Sequence, residues 1–250
     1  MRYCRAMRRI VRFAAAGLFL HAAVLCGASR ADARDSLLLV GNSFTKGIKS
    51  PLRMLARSAG RDVAIGVSAA DGFTLQAHAE SRSSLAKIHS KDWQTVVLQE
   101  QSDGISEERG YQSARALDRE IAGRTVFFMT WRDRDAELAD YDDLRGEPEG
   151  STGYVPIAFE LDAAVAPIGW VFREILLAEP DAELWSRDGH HASERGRYLA
   201  ALTLYATIFL ESPVGLWMTP GLSEDQAFHD QLVVEHVVFD DAAGWNIELP

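Results

Sequence analysis

Two short stretches at opposite ends of the chain carry residue types suited to nucleophilic chemistry. Gly41-Asn42-Ser43 closes the apolar run Leu37–Val40, and Asp188-Gly189-His190-His191 opens a helical pattern near the C-terminus. A serine hydroxyl becomes a nucleophile only when a base takes its proton and a third group orients that base. His191 is placed to be that base. Asp188, three residues earlier on a turn, can reach the His191 ring, hold its tautomer and stabilise the imidazolium. Plainer readings stand beside this one. Asn42 and Ser43 can simply turn the chain and cap a helix, and Asp-x-x-His also suits a metal pair or a polar cap. In the nucleophilic reading His190 falls on the surface or substrate side.

The nucleophile reading requires an element that presents Ser43. A continuous apolar run ending in a turn signal predicts a strand buried on both faces of a parallel sheet. Gly41 allows a sharp turn at its end, and a helix is expected from Pro51 to Ala59, closed by Gly60. Further strands are expected at Val63–Val67, Trp93–Leu98, Thr125–Met129 and Val165–Pro167. Helices are expected at Leu75–His89, Glu107–Ala122, Tyr154–Ala163, Trp170–Ala178, Ser193–Leu210 and Ser223–Val238. Strands alternating with helices imply a parallel sheet covered on both faces, with sites at the carboxyl ends of its strands. Residues 130–153, charged and containing Gly146, Pro148 and Gly150, read as a long surface loop near those ends.

Residues 1–33 read as a secretory signal peptide. Arg2, Arg5, Arg8, Arg9 and Arg12 precede an apolar Phe13–Ala28 segment, and Ala31-Asp32-Ala33 fits a small-x-small cleavage site. Leu25 before Cys26 argues against a lipoprotein anchor; Sec and Tat export both stay open. The leader takes six of the 26 basic residues and one of the 36 acidic ones, leaving 20 and 35 and a net charge of −15. Such a chain is not expected to bind nucleic acid or anionic membranes. Both cysteines, Cys4 and Cys26, leave with the leader, which removes disulfide, thiolate and cysteine–metal chemistry. The remaining residues 34–250 fit one domain by length, periplasmic or secreted, without integral membrane association. Lys46 precedes Gly47, the wrong order for a phosphate loop, and no Gly-x-Gly-x-x-Gly occurs, so no nucleotide or flavin is expected.

Taken in order, Gly41-Asn42-Ser43, Gly72, Gln99-Glu100-Gln101-Ser102 and Asp188-x-x-His191 resemble the blocks of the SGNH, or GDSL-type, hydrolase superfamily. Gly-Asn-Ser-Phe-Thr and the run from Asp188 to Ala200 are similar to a bacterial subgroup often left as a domain of unknown function. The resemblance covers nearly the whole chain after residue 33. It implies a flavodoxin-like three-layer α/β/α sandwich with a mostly parallel sheet. It also implies a serine esterase working through an acyl-enzyme on small-molecule or carbohydrate esters, acetyl esters among them, with no cofactor and no metal. Ser43 would be the nucleophile, His191 the base and Asp188 its partner. The oxyanion hole would comprise the Ser43 and Gly72 N–H groups and a side-chain amide. The superfamily has asparagine in that last place. Here Gln101 carries the amide one methylene further out, and a shifted alignment would place Gln99 or Ser102 there. A binding protein with a weakened hole and an acyltransferase with the same triad are the alternatives. Glu100 reads as a brace beside the hole or as a plain strand-end carboxylate, and Trp131 and Arg132 as cleft or packing residues. His21, His78, His89 and His229 receive no role.

Overall fold

The computed structural model describes residues 35–147, 152–217 and 219–250; the expected leader lies outside the described residues. Five strands form one parallel sheet in the order β2-β1-β3-β4-β5: β1 Asp35–Gly41, β2 Val63–Ala69, β3 Thr95–Leu98, β4 Arg124–Phe128 and β5 Ala164–Ala166. β1 lies between β2 and β3, with Leu39 opposite Val67 on one side and Val97 on the other. Leu37, Leu38, Leu39 and Val40 are all buried, which explains why this strand reads as an uninterrupted apolar run.

The strand order also assigns the helices to layers. From β1 the chain moves one way to β2, then reverses across β1 to reach β3. Right-handed crossovers therefore place α2 (Lys49–Ser58) on one face and α3 (Leu75–Glu80), α4 (Arg82–Ile88) and α5 (Glu108–Asp118) on the other. In agreement, α2 packs on α9 (Glu194–Phe209), whereas α3 packs on α5. The flavodoxin-like three-layer arrangement expected from the sequence is present. The reversal point lies between β1 and β3. There the four-residue helix α1 (Ser43–Lys46) follows β1, and Gln101 follows β3.

Two local expectations change. Leu75–His89 is not one helix, because Ser81 adopts an extended conformation between α3 and α4. Its hydroxyl accepts the Ser84 N–H and its own N–H bonds to the His78 carbonyl. A serine side chain that can cap competes with continuing the helix. Within residues 130–153, the short helix α6 (Asp140–Arg145) has three aspartates in its first turn and Arg145 in its last, matching the helix dipole. The chain then continues through α7 (Tyr154–Glu160), β5 and α8 (Ile168–Ala178).

α9 begins two residues after Ala192, capped by the Ser193 hydroxyl on the Gly196 N–H. It is buried on nearly every side. Its first turn is anchored by Arg195, whose guanidinium pairs with the buried Asp230 of α10 (Glu224–Phe239) at 2.7 Å and with Glu179 at 2.9 Å. Among the described residues no helix is long and apolar enough to cross a membrane. Because β1 is the centre of the sheet, Leu39→Ala is expected to cost about 2–5 kcal/mol, read as a lower urea midpoint with unchanged slope.

Candidate functional site

Ser43 owes its position to the way β1 ends. The Gln99 N–H still bonds the Val40 carbonyl as a ladder rung at 2.9 Å. The next rung is made by a side chain: Gln99 Oε1 accepts the Asn42 N–H at 2.9 Å and the Thr45 hydroxyl at 2.8 Å. Gly41 is needed here for space, not for a left-handed turn. A Cβ on it would lie 2.3 Å from Thr45 Oγ1 and 2.4 Å from Gln99 Oε1. Asn42 then caps α1 by accepting the Phe44 N–H, and its amide donates to the Phe73 carbonyl. The capping expected of this turn is real, and Asn42 does it.

The structure brings Ser43, His191 and Asp188 together. His191 Nε2 lies 2.9 Å from Ser43 Oγ, and His191 Nδ1 lies 2.7 Å from Asp188 Oδ2. A carboxylate only accepts, so Nδ1 carries the proton and Nε2 is left to accept from the serine hydroxyl. Asp188 Oδ1 takes the N–H groups of both His190 and His191 at 3.0 Å, with Gly189 at φ +72° between them and Asp188. The His190 N–H, then the His191 ring, then the His191 N–H hold the Asp188 carboxyl down at about 2. It is ionised wherever His191 can act as a base.

The candidate oxyanion donors converge on the same edge. Neither the Ser43 N–H nor the Gly72 N–H donates to any described residue. Gly72 is at φ +70°, and a Cβ there would lie 3.8 Å from Gln101 Oε1, so the Gln101 amide ends beside it. That side chain makes no hydrogen bond among the described residues. Gln99 is buried and its amide is engaged by Asn42, Thr45 and the Glu100 carbonyl, which removes it as an alternative. Glu100 is the brace: its carboxylate accepts the N–H groups of Leu75 and Gln101. Burial raises its pKa against the opposing pull of those two N–H groups.

Several solved structures share the fold of this chain. A DUF4886 family protein from Bacteroides uniformis matches over 83% of this chain and 96% of its own, at TM-score 0.64 and 16% identity. The lipase/acylhydrolase from Enterococcus faecalis matches over 70% and 95%, at TM-score 0.50 and 13% identity. The chain has the SGNH hydrolase fold. The psychrotrophic esterase EstA from Pseudoalteromonas sp. shares this fold over 70% of this chain and 97% of its own, at TM-score 0.50 and 12% identity. No family model matches the sequence, and no curated protein matches it.

On this SGNH-type sheet edge the structure adds residues that the sequence left without a role. His78 is buried, with Nε2 2.8 Å from the Gly41 carbonyl and Nδ1 2.8 Å from Ser84 Oγ. The carbonyl fixes Nε2 as the protonated nitrogen. The same carbonyl takes the Ala70 N–H, so one oxygen ties the Ser43 turn to the Gly72 loop. Only the fold could reveal this, since α3 returns His78 under β1. Trp131 is buried rather than lining a cleft, stacked between Phe44 at 4.5 Å and Phe172 at 5.0 Å. Arg132 donates to the Asp140 carbonyl. Of the other histidines, His89 pairs with Glu120 and His229 lies near Glu179. Among the described residues no group of three or more His, Cys, Asp or Glu could hold a metal ion.

Burial lowers the His78 pKa from 6.5. As pH falls through about 6.5, the unfolded chain therefore takes up this proton before the folded one, and stability is expected to decline. His78→Gln, whose amide can still donate to Gly41, is expected to flatten that slope. Urea midpoints at about pH 7.5 and 5.5 check it, and an equal decline in both proteins would refute it.

Proposed function

We propose that the chain is an exported serine esterase of the SGNH hydrolase superfamily, cleaving carboxylic esters, acetyl esters among them, through a Ser43 acyl-enzyme. The observation that carries this reading is the continuous hydrogen-bonded chain from Ser43 through His191 to Asp188, placed where an open α/β sheet changes direction. The esterase and the lipase/acylhydrolase that share the fold support it. Residues 1–33 serve as the leader for periplasmic or secreted export. Arg34–Pro250, which pack as one unit, form the working domain.

Ser43 Oγ attacks the ester carbonyl as its proton passes to His191 Nε2. Asp188 keeps the ring in the accepting tautomer and stabilises the imidazolium that forms. The Ser43 and Gly72 N–H groups and the Gln101 amide receive the negative charge on the carbonyl oxygen. His191 then protonates the departing alcohol. Water, deprotonated by the same nitrogen, attacks the acyl-enzyme and releases the acid. About two-fifths of the His191 side chain is exposed, so the departing alcohol meets the base at the protein surface.

Hydrolysis of p-nitrophenyl acetate tests the reading. Ser43→Ala is expected to abolish turnover, and a wild type no faster than this variant would sink the proposal. Gln101→Ala is expected to lower kcat about 100- to 1000-fold with little change in KM, as loss of one oxyanion donor does. Ser102→Ala is expected to leave kcat alone, and the opposite pattern would move the third donor to Ser102.

A further inference from the structure

His190 is more tightly specified than a surface residue needs to be. Its N–H donates to Asp188 Oδ1 and its carbonyl accepts the Trp131 indole N–H at 2.9 Å. Its ring packs 4.8 Å from Phe44 and 5.1 Å from His191, centroid to centroid. Its Nδ1 lies 2.5 Å from Asp133 Oδ1. The carboxylate can only accept, so Nδ1 carries a proton. Nε2 then remains, with no partner among the described residues, on a side chain about one-third exposed.

Reaction geometry says which half of an ester meets this nitrogen. The carbonyl oxygen must point to the Ser43, Gly72 and Gln101 donors. The leaving alcohol must lie against His191, which protonates it. A ring flanking His191 therefore touches the alcohol half. With Nδ1–H fixed by Asp133, a neutral Nε2 accepts from a substrate hydroxyl and a protonated one donates to it. A hydroxyl satisfies either state; an alkyl alcohol satisfies neither and leaves the nitrogen unpaired. We infer that His190, oriented by Asp133, recognises the alcohol half of the ester, and that this half carries free hydroxyl groups. The inference rests on the esterase reading above and adds its specificity.

Glycerol monoacetate and propyl acetate share the acyl group and a three-carbon alcohol but differ in free hydroxyls. The ratio of their kcat/KM values, measured within each protein, isolates the contact from any general loss of activity. The wild type is expected to favour glycerol monoacetate by about tenfold, the worth of one hydrogen bond. His190→Phe, which keeps the ring but removes its nitrogens, is expected to bring the ratio close to one. His190→Gln, which keeps a hydrogen-bonding end, is expected to retain part of the preference. A wild type without preference, or a ratio unchanged in both variants, overturns the inference. If turnover is still lost in Ser43→Ala, that outcome leaves the esterase reading intact. No Ser43-dependent turnover of either ester removes both.

Discussion

A strand that stops inside a protein leaves main-chain N–H and C=O groups needing partners, and this site is built from how β1 solves that problem. Past Val40 the ladder to β3 runs out. The Asn42 N–H then goes to the Gln99 side chain, and the Gly41 carbonyl takes the His78 ring and the Ala70 N–H. The Gln99 and His78 bonds are buried, where an unmade one costs about 1–3 kcal/mol. The turn therefore has little freedom to relax. Ser43 is held by its neighbours' backbone accounting more than by any contact of its own, and the Gly72 loop is tied to the same carbonyl.

Two carboxylates beside this turn are tuned in opposite directions. Asp188 sits at the surface, and two N–H groups and the His191 ring lower its pKa, so its charge is always available to the imidazole. Glu100 is buried, and its pKa is raised. Its ionised form is therefore disfavoured by folding at neutral pH. What it does there is geometric: one carboxylate gathers the N–H groups of Leu75 and Gln101. That fixes the backbone from which the Gln101 amide reaches toward Gly72. The surface carboxylate orients the His191 ring, while the buried one positions the Gln101 backbone.

The sequence told most where one residue type has one physical use. The apolar run of β1, the helices beginning at Ser193 and Ser223, and the alternation of strands with helices were all legible from local pattern. So was the spacing of Asp188 and His191, which the turn at Gly189 turns into a hydrogen bond. Gln99 and Gln101 were harder. They carry the same amide two residues apart after β3, and only the hydrogen bonds to Asn42 and Thr45 assign Gln99 to the scaffold. His78 and Asp133 were invisible because their partners lie far off in sequence: a carbonyl at the end of β1 and a ring at residue 190.

Those distant partners also explain how a half-exposed His–Asp pair holds its geometry. The Asp188–His191 loop has little core of its own. It is laced instead to the segment after β4. The Arg134 N–H bonds the Gly189 carbonyl, its guanidinium bonds the Ser186 carbonyl, and the Trp131 indole bonds the His190 carbonyl. The Trp185 indole returns the tie to the Arg132 carbonyl. Trp131 is itself clamped between Phe44, the residue after Ser43, and Phe172 of α8. The Ser43 turn and the histidine loop thus share one aromatic wedge. A shift of either would have to move Trp131, and close-packed aromatic rings resist such a shift far more than a solvated loop would.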